Sequence, residues 1–311
     1  MSPRSRFVKG VGFASVTASL WGMLPILMDA ALHEFKSGTV VWFRFTFAFL
    51  VLFAILWARS VKPWIILRKP PVIGLLSAVC LAANYFLFME GIRLSSPSNS
   101  AVVIQSAPVM LVLIGVYYFN ETINRLQVTG LILAGIGFSF FFNEQAGSLS
   151  GNEFYFKANM VITLAALTWA VYMALQKKLQ DRYSSQELNL LVYGTAALVL
   201  VGLVDWNDFN SVSNTGGVLM VVLGINTLLA YGCLTEAIKY IPLSLISVIV
   251  ALNPFITMFL MQMAPVLFPE WIRPESISML GYLGAVTAIG GVIVVIRFHQ
   301  QPKLEETPST T

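Results

Sequence analysis

Apolar residues in this chain form long runs that are separated by short polar connections. Ten of these runs approach the roughly 20 residues that an α-helix needs to cross about 30 Å of hydrocarbon. Backbone polar groups cannot stay unpaired in lipid, so each run should be helical. The pattern therefore predicts an all-α integral membrane protein with ten transmembrane helices. The runs cover 10–31, 38–58, 71–92, 98–118, 126–142, 155–176, 187–204, 216–237, 243–267 and 277–297.

A passage around the third and fourth runs is written a second time around the eighth and ninth. Residues Glu90, Ile92, Ser98, Val102 and Pro108 recur 146 positions later as Glu236, Ile238, Ser244, Val248 and Pro254. The matches extend to both ends. Trp21 in LWG at 20–22 is matched by Trp169 in TWA at 168–170, 148 positions later, and Tyr85 is matched by Tyr231 at the offset of 146. Glu121, Gly130 and Gly137 recur 154 positions later. The chain therefore divides into a first five-helix repeat at 1–145, a polar linker at 146–153, a second five-helix repeat at 154–298, and a disordered cytoplasmic tail at 299–311.

An odd number of crossings makes the second repeat enter the membrane from the opposite side. The two repeats are then inverted, related by a pseudo-two-fold axis in the membrane plane. Two halves that face opposite ways can each close one mouth of a shared central path, which favours a transporter. A membrane partner or sensor that transports nothing is the alternative, but it would leave the inverted duplication unexplained.

Composition agrees with a membrane protein, because 57% of the 311 residues are hydrophobic and 11% are charged. The net charge is +4, but Lys and Arg form no basic stripe, so no nucleic-acid partner is expected. With the N-terminus inside, 14 basic residues fall on the inner side and four (Lys36, Arg93, Lys157 and Arg273) on the outer. This bias places both termini in the cytoplasm.

Several other classes find little support in the sequence. Two cysteines and two histidines cannot build a disulfide framework or a zinc site, so no metal and no cofactor is expected. An intramembrane enzyme would need a motif such as HExxH or GxSxG, and ATP hydrolysis would need a P-loop; the chain has none of them. A removable signal peptide would suit the basic start, but the apolar run continues through Trp21 and Pro25 without a convincing small-x-small cleavage site.

Several of these features together resemble the EamA-type family of the drug/metabolite transporter superfamily. They are Trp21–Gly22 in the first run, Arg44 within WFRFTFA, Pro108 followed by Glu121, and GLILAGIG in the fifth run. The resemblance implies two four-helix groups around a midplane cavity, with the fifth and tenth helices peripheral and packed through small residues. It also implies a bacterial inner-membrane protein, monomeric or weakly dimeric, that moves amino acids or related compounds.

Charged residues inside the runs are costly in hydrocarbon and are candidates for gating or coupling. Glu90 and Glu236 lie near opposite faces and either couple transport to protons or simply pair with Arg93 and Lys239 three positions on. Arg44 needs a partner, for which Asp29 and Glu90 lie at comparable depth. Such an outer cluster would hold a gate closed, serve structure alone, or attract a substrate carboxylate.

Polar and aromatic residues near the middle of the runs are the predicted substrate-binding set. Asn and Gln there serve as hydrogen-bonded links between helices at least as often as ligands. Pro108 and Pro254 each remove a backbone hydrogen bond and are predicted hinges. The predicted binding residues are Trp21, Asn84, Tyr85, Gln105, Trp169, Tyr172, Asn226, Tyr231 and Asn253.

The sequence therefore predicts a secondary transporter for a small organic metabolite, exporting it by alternating access. Few charges, and no Lys or Arg, are expected at the midplane, which favours a neutral, zwitterionic or partly apolar solute over a sugar phosphate or nucleotide. Proton coupling, facilitated diffusion and solute exchange stay open as modes of operation.

Overall fold

Helices form all the regular secondary structure of the described residues. The computed structural model describes residues 3–59, 62, 64–94, 103–146, 153–210, 212–257, 259–260 and 279–298. The α-helices in chain order are α1 (Pro3–Leu32), α2 (Ser37–Ala58), α3 (Trp64–Arg68), α4 (Val72–Leu94), α5 (Ser106–Phe119), α6 (Arg125–Ala146), α7 (Glu153–Leu179), α8 (Ser185–Leu200), α9 (Asn214–Ile238), α10 (Leu243–Val250) and α11 (Met279–Arg297). Short 3-10 helices follow α8 at Val201–Leu203 and Trp206–Phe209.

Six of these helices are long and apolar enough to cross a membrane, namely α1, α2, α4, α7, α8 and α9. Shorter apolar helices occur at Ser106–Phe119, Arg125–Gly137, Leu243–Thr257 and Val286–Val295. Each of these segments overlaps one of the predicted runs, and α3 lies in the connection between the second and third runs. Most of the predicted linker and the whole predicted tail lie outside the described residues.

Each long helix contacts a helix from the other half of the chain. Helix α1 lies on α9 and α4 lies on α7, whereas α2 contacts α8, α5 contacts α10, and α6 contacts α11. Further contacts join α4 to α8 and α2 to α9. The buried core therefore runs between the two halves of the sequence.

Small residues allow α6 and α11 to approach at backbone distance, as expected for the fifth and tenth runs. A methyl group added to Gly130 would lie 2.7 Å from the carbonyl oxygen of Gly291. One added to Gly291 would lie 2.5 Å from the backbone nitrogen of Ala134. Lipid offers no hydrophobic drive for helix pairing, so this close fit supplies the van der Waals contact that holds the pair.

Both predicted hinge prolines follow a break in the helix. Turns at 104–105 and 251–252 interrupt the fourth and ninth runs, so Pro108 and Pro254 lie at the start of a new helical segment. The interruption replaces the simple mid-helix kink that the sequence predicts. The carbonyl that Pro254 cannot satisfy belongs to Val250, and it lies 2.8 Å from the Asn253 amide nitrogen when that amide is oriented to donate. The hinge role itself stays a prediction.

Candidate functional site

Five of the predicted binding residues meet in the core and are called here the aromatic cluster: Trp21, Tyr85, Trp169, Tyr172 and Tyr231. The Trp21 ring centroid lies 5.9 Å from that of Trp169 and 5.4 Å from that of Tyr231, both edge to face. The Tyr172 ring meets Tyr231 at 6.0 Å, also edge to face. These spacings are in the favourable range for aromatic pairs, so the cluster is a packed unit.

Residues that match in the two repeats touch one another in this cluster. Trp21 and Trp169 are 148 positions apart and their rings are in contact. Tyr85 and Tyr231 are 146 positions apart, and their hydroxyl oxygens lie 3.1 Å apart. The cluster is therefore the place where equivalent positions of both halves come together.

Arg44 is fully buried beside the aromatic cluster. Its Nε donates to Thr227 Oγ1 at 2.9 Å, and its two terminal nitrogens lie 3.4 Å from Met28 Sδ and from the Tyr85 hydroxyl. Its guanidinium carbon also lies 5.2 Å from the centroid of the Tyr85 ring, a cation–π geometry.

These contacts bear on two expectations about Arg44, of which the pairing with Asp29 stays a prediction. The partners are Thr227, Met28 and Tyr85 in place of Glu90 in an outer salt-bridge cluster, and the side chain of Asp29 lies outside the described set. The aromatic cluster also has a cation against it, contrary to the expected absence of Lys and Arg from this region. The reason is reach, because the long Arg side chain carries its charge several ångströms from its own backbone.

The predicted amides link helices. Asn84 Nδ2 donates to the Ala165 carbonyl at 2.8 Å and Asn226 Nδ2 to the Leu20 carbonyl at 2.8 Å. The Asn253 amide, oriented to donate, also reaches the Ala18 carbonyl at 3.0 Å. Gln105 stands just before α5 and makes no side-chain cap to that helix. In this conformation three of the four amides hold helices together, while their contact with substrate remains a prediction.

One of these bonds has a counterpart at the equivalent place in the other half. The Thr17 hydroxyl donates to the Ala230 carbonyl at 3.1 Å, and Asn84 donates to Ala165. Position 17 matches 165 and position 84 matches 230, by the repeat offsets of 148 and 146. The α1–α9 contact and its counterpart, the α4–α7 contact, are thus each held by a side-chain hydrogen bond. The donor is on α1 in the first contact and on α4 in the second.

Two buried aromatic residues beside the cluster were not singled out by the sequence. The Phe45 ring lies 5.0 Å from that of Tyr85, and the Tyr193 ring lies 6.4 Å from that of Tyr231. Both sit in strongly apolar helices, α2 and α8, where nothing in the local pattern distinguishes them from core filling.

A buried acidic contact, called here the Glu121 junction, joins three elements at one end of the helices. The Glu121 carboxylate accepts from the backbone N–H groups of Leu243 and Ser244 at 2.8 and 3.0 Å, from the Ser244 hydroxyl at 2.7 Å, and from Lys177 Nζ at 2.5 Å. Burial alone raises the pKa of Glu121, but Lys177 and Ser244 together more than offset this and hold the pKa below its usual value. The sequence singled out Glu121 as a repeat match and as part of the family resemblance, but it predicted none of these contacts.

A second set of charged contacts, called here the Lys36 junction, lies at the opposite end of α9. Lys36 forms an ion pair with Asp205, and its backbone N–H donates to Asp208 at 2.8 Å. Nearby, the Glu34 carboxylate accepts from the Ser213 hydroxyl at 2.8 Å at the start of α9. The hydrogen bond and charge of Asp205 raise the pKa of Lys36, and those of Lys36 lower the pKa of Asp205.

The structure describes the ion-pair partner of Glu236 but not the side chain of the predicted partner of Glu90. Glu236 pairs with Lys239 at 3.0 Å, which is the helix-neighbour contact that the sequence favoured. Glu90 is half-buried on α4, and the side chain of Arg93 lies outside the described set. Within the described residues, no three His, Cys, Asp or Glu side chains come together as a metal site.

Comparison with known proteins agrees with this arrangement. The sequence model of the EamA-like transporter family matches twice, at residues 8–143 and 156–297. An uncharacterized transporter of Haemophilus influenzae is 27% identical over 94% of this chain and 95% of its own length. The uncharacterized inner membrane transporter YhbE of Escherichia coli is 29% identical over 91% of this chain and 90% of its own.

A solved crystal structure shares the fold, with a TM-score of 0.78 at 19% identity, covering 94% of this chain and 96% of the other. The family match spans both halves, and the apolar helices agree with a multi-pass membrane protein. The chain belongs to the EamA-like transporter family.

Proposed function

We propose that this transporter exports an amino acid or a related small metabolite across the bacterial inner membrane by alternating access. In this proposal ten helices form two inverted halves, both termini lie in the cytoplasm, and the aromatic cluster lines the solute path. Glu90 and Glu236 face opposite compartments, and Pro108 and Pro254 mark the breaks about which helices rock.

The observation that carries the proposal is the contact between matched residues in the aromatic cluster. A two-fold axis that relates two halves must pass where equivalent positions meet, and Trp21 meets Trp169 while Tyr85 meets Tyr231. The helix contacts support the same axis, because exchanging each helix with its repeat partner turns the α1–α9 contact into the α7–α4 contact and leaves α2–α8 unchanged. The twofold family match supports duplication.

The two junctions fit the gates of such a transporter. The Glu121 junction and the Lys36 junction each bridge the first half to the second, and they lie at opposite ends of α9, which is about 37 Å long at 1.5 Å per residue. Opening one mouth then means separating one junction while the other stays closed. Exposed ion pairs such as that of Lys36 are weak because water solvates both charges, so water can replace the contact readily.

The test is a flux screen with the purified full-length protein in proteoliposomes. Pools of radiolabelled amino acids and other metabolites are loaded inside or outside, with and without a pH gradient. Saturable flux of at least one amino acid pool above protein-free vesicles supports the proposal; flux confined to unrelated metabolites would remove the proposed substrate class.

Topology is tested separately in cells by reporter fusions at Ser150 and at the C-terminus. The inverted arrangement predicts a periplasmic reporter at Ser150 and a cytoplasmic reporter at the C-terminus. Both reporters on the same side would overturn the inversion, whatever the flux screen finds.

A further inference from the structure

The charge of Arg44 has no anionic partner within the described part of the chain. Its side chain is fully buried, and its three contacts are a hydroxyl, a thioether sulfur and a phenol. A buried cation normally requires a paired, hydrogen-bonded anion, because desolvation without compensation is very costly. The site is therefore electrostatically incomplete as described.

Arg44 also has more N–H donors than the acceptors around it in the described residues can satisfy. A guanidinium carries five N–H groups, and the contacts of Arg44 account for three of them. One terminal nitrogen lies 3.4 Å from the Tyr85 hydroxyl, longer than good N–H···O hydrogen bonds of 2.7–3.2 Å, and the acceptor of the other is a thioether sulfur, which accepts only weakly. The Thr227 hydroxyl is already used, since it donates to the Leu223 carbonyl at 3.0 Å and accepts from Arg44.

The phenols add to this excess. The hydroxyls of Tyr85 and Tyr231 share one hydrogen across their 3.1 Å contact, and Arg44 can only donate to Tyr85. One of the two hydroxyl hydrogens is left without an acceptor among the described residues. An added ligand group here must therefore accept hydrogen bonds and carry negative charge.

We propose that Arg44 and Tyr85 form the subsite for a substrate carboxylate, so that the transported solute is a monocarboxylate with an apolar body. This inference rests on the proposed transport function and gives its substrate a defined anchoring group. A carboxylate matches the planar fork of a guanidinium and would replace the weak contacts of Arg44 with Met28 and Tyr85 by charge-assisted hydrogen bonds.

The surroundings set the rest of the substrate. The apolar body would lie against the other rings of the aromatic cluster, those of Trp21, Trp169 and Tyr172. Within the described residues, Arg44 is the only Lys or Arg whose contacts reach this cluster, so one negative charge is matched and a phosphate dianion is not. Arg44 is closed off in this conformation, and entry requires displacing its weak contacts with Met28 and Tyr85.

The experiment measures ligand-induced thermal stabilisation of the purified full-length protein in nanodiscs. The probes are two matched pairs: L-phenylalanine against L-phenylalaninamide, and 3-phenylpropanoate against 3-phenylpropanamide. We expect both acids, and neither amide, to raise the Tm of the wild-type protein. Equal shifts from the acids and the amides, or no shift from either acid, would overturn the proposal.

Variants then assign the response to the subsite. Arg44→Gln should weaken the apparent affinity for both acids about tenfold to a hundredfold, as expected for lost charged hydrogen bonds. Arg44→Lys should retain part of the response and Tyr85→Phe should lower it, whereas Arg182→Gln at an exposed site should match the wild type. An unchanged acid response in Arg44→Gln rules the subsite out.

Asp29 is the competing partner, since it follows Met28 in the chain. If Asp29 neutralised Arg44, Asp29→Asn would leave a buried charge unpaired and strongly lower the Tm of the ligand-free protein. We expect no such loss, and a large loss would overturn the proposal. The flux screen and reporter fusions use wild-type residues, so a failed subsite with intact flux is distinguishable from failed transport.

Discussion

At the residue scale, the aromatic cluster combines packing and chemistry in the same side chains. Trp21 is half-buried and touches two rings from the other half, Trp169 and Tyr231. A side chain that only filled the core would be fully enclosed by neighbours. Trp21 is therefore more open than Trp169, Tyr172 and Tyr231, which are buried in this conformation, and it is the cluster member best suited to test the proposed path.

Replacing Trp21 with Ala should weaken substrate affinity more than it lowers thermal stability. The substitution removes a large aromatic contact surface from a half-buried position, where truncation costs less than in a closed core. Flux titrations and thermal unfolding of the same preparations give the two quantities. Trp57→Ala is the matched control, because Trp57 is 62% exposed. A loss of Tm with unchanged affinity would identify Trp21 as packing alone.

Glu236→Gln should slow transport and alter its pH dependence while leaving the protein folded. The pair with Lys239 is partly exposed, so its loss should change stability by no more than about 1 kcal/mol. Initial rates across a pH series, compared with Asp181→Asn at an exposed position, measure the effect. Rates and pH dependence equal to the wild type would remove Glu236 from coupling.

At the element scale, helix ends and helix faces are held by different means. The N-terminus of α10 is stabilised by the Glu121 carboxylate, which serves two orphan backbone donors and the positive end of the helix dipole. The α6–α11 face relies on close backbone approach at Gly130 and Gly291. The first contact responds to pH and the second does not.

Glu121→Gln should destabilise the protein at neutral pH, by about 1–3 kcal/mol, because an amide cannot accept from both backbone donors and Lys177. The pKa of Glu121 is lowered in the folded protein, so its contribution is complete above the unfolded pKa of about 4.3 and is lost as the pH falls through the folded value. Unfolding curves from pH 7 to pH 3 should therefore converge for the two proteins. A constant difference between them would contradict this origin.

Gly291→Leu should lower the Tm clearly, whereas Gly290→Leu should not. A side chain at Gly291 would meet the backbone of α6, while one at Gly290 meets nothing within 4 Å. Both substitutions change helix propensity equally, so the difference between them isolates the packing of α6 on α11. Thermal unfolding in one lipid composition measures it, and equal Tm values would show that this face contributes little.

At the scale of the whole molecule, helix positions and repeat matches could be predicted because they depend on local sequence pattern. Apolar runs placed the helices, often within a few residues, because hydropathy and helix length are local quantities. The repeat offsets also paired Trp21 with Trp169 and Tyr85 with Tyr231 before any contact was known. Matching positions of two halves were enough to find most of the cluster.

The contacts that the sequence missed join residues far apart in the chain without a repeat to relate them. Glu121 in a short connection reads as a solvated acid, and nothing near it indicates Lys177 or the start of α10. Arg44 was assigned partners by depth, but its side chain extends toward Thr227, which is on another helix. Depth along a helix is therefore a poor guide to the contact partners of long side chains and of residues at helix ends.

The two matched hydrogen bonds donated by Thr17 and Asn84 have one further consequence. Because a hydroxyl secures one copy and a carboxamide the other, the two copies are free to differ in strength. Under the proposed alternating access, a substitution at Thr17, which is outside the predicted binding set, would bias which compartment the empty carrier faces at rest.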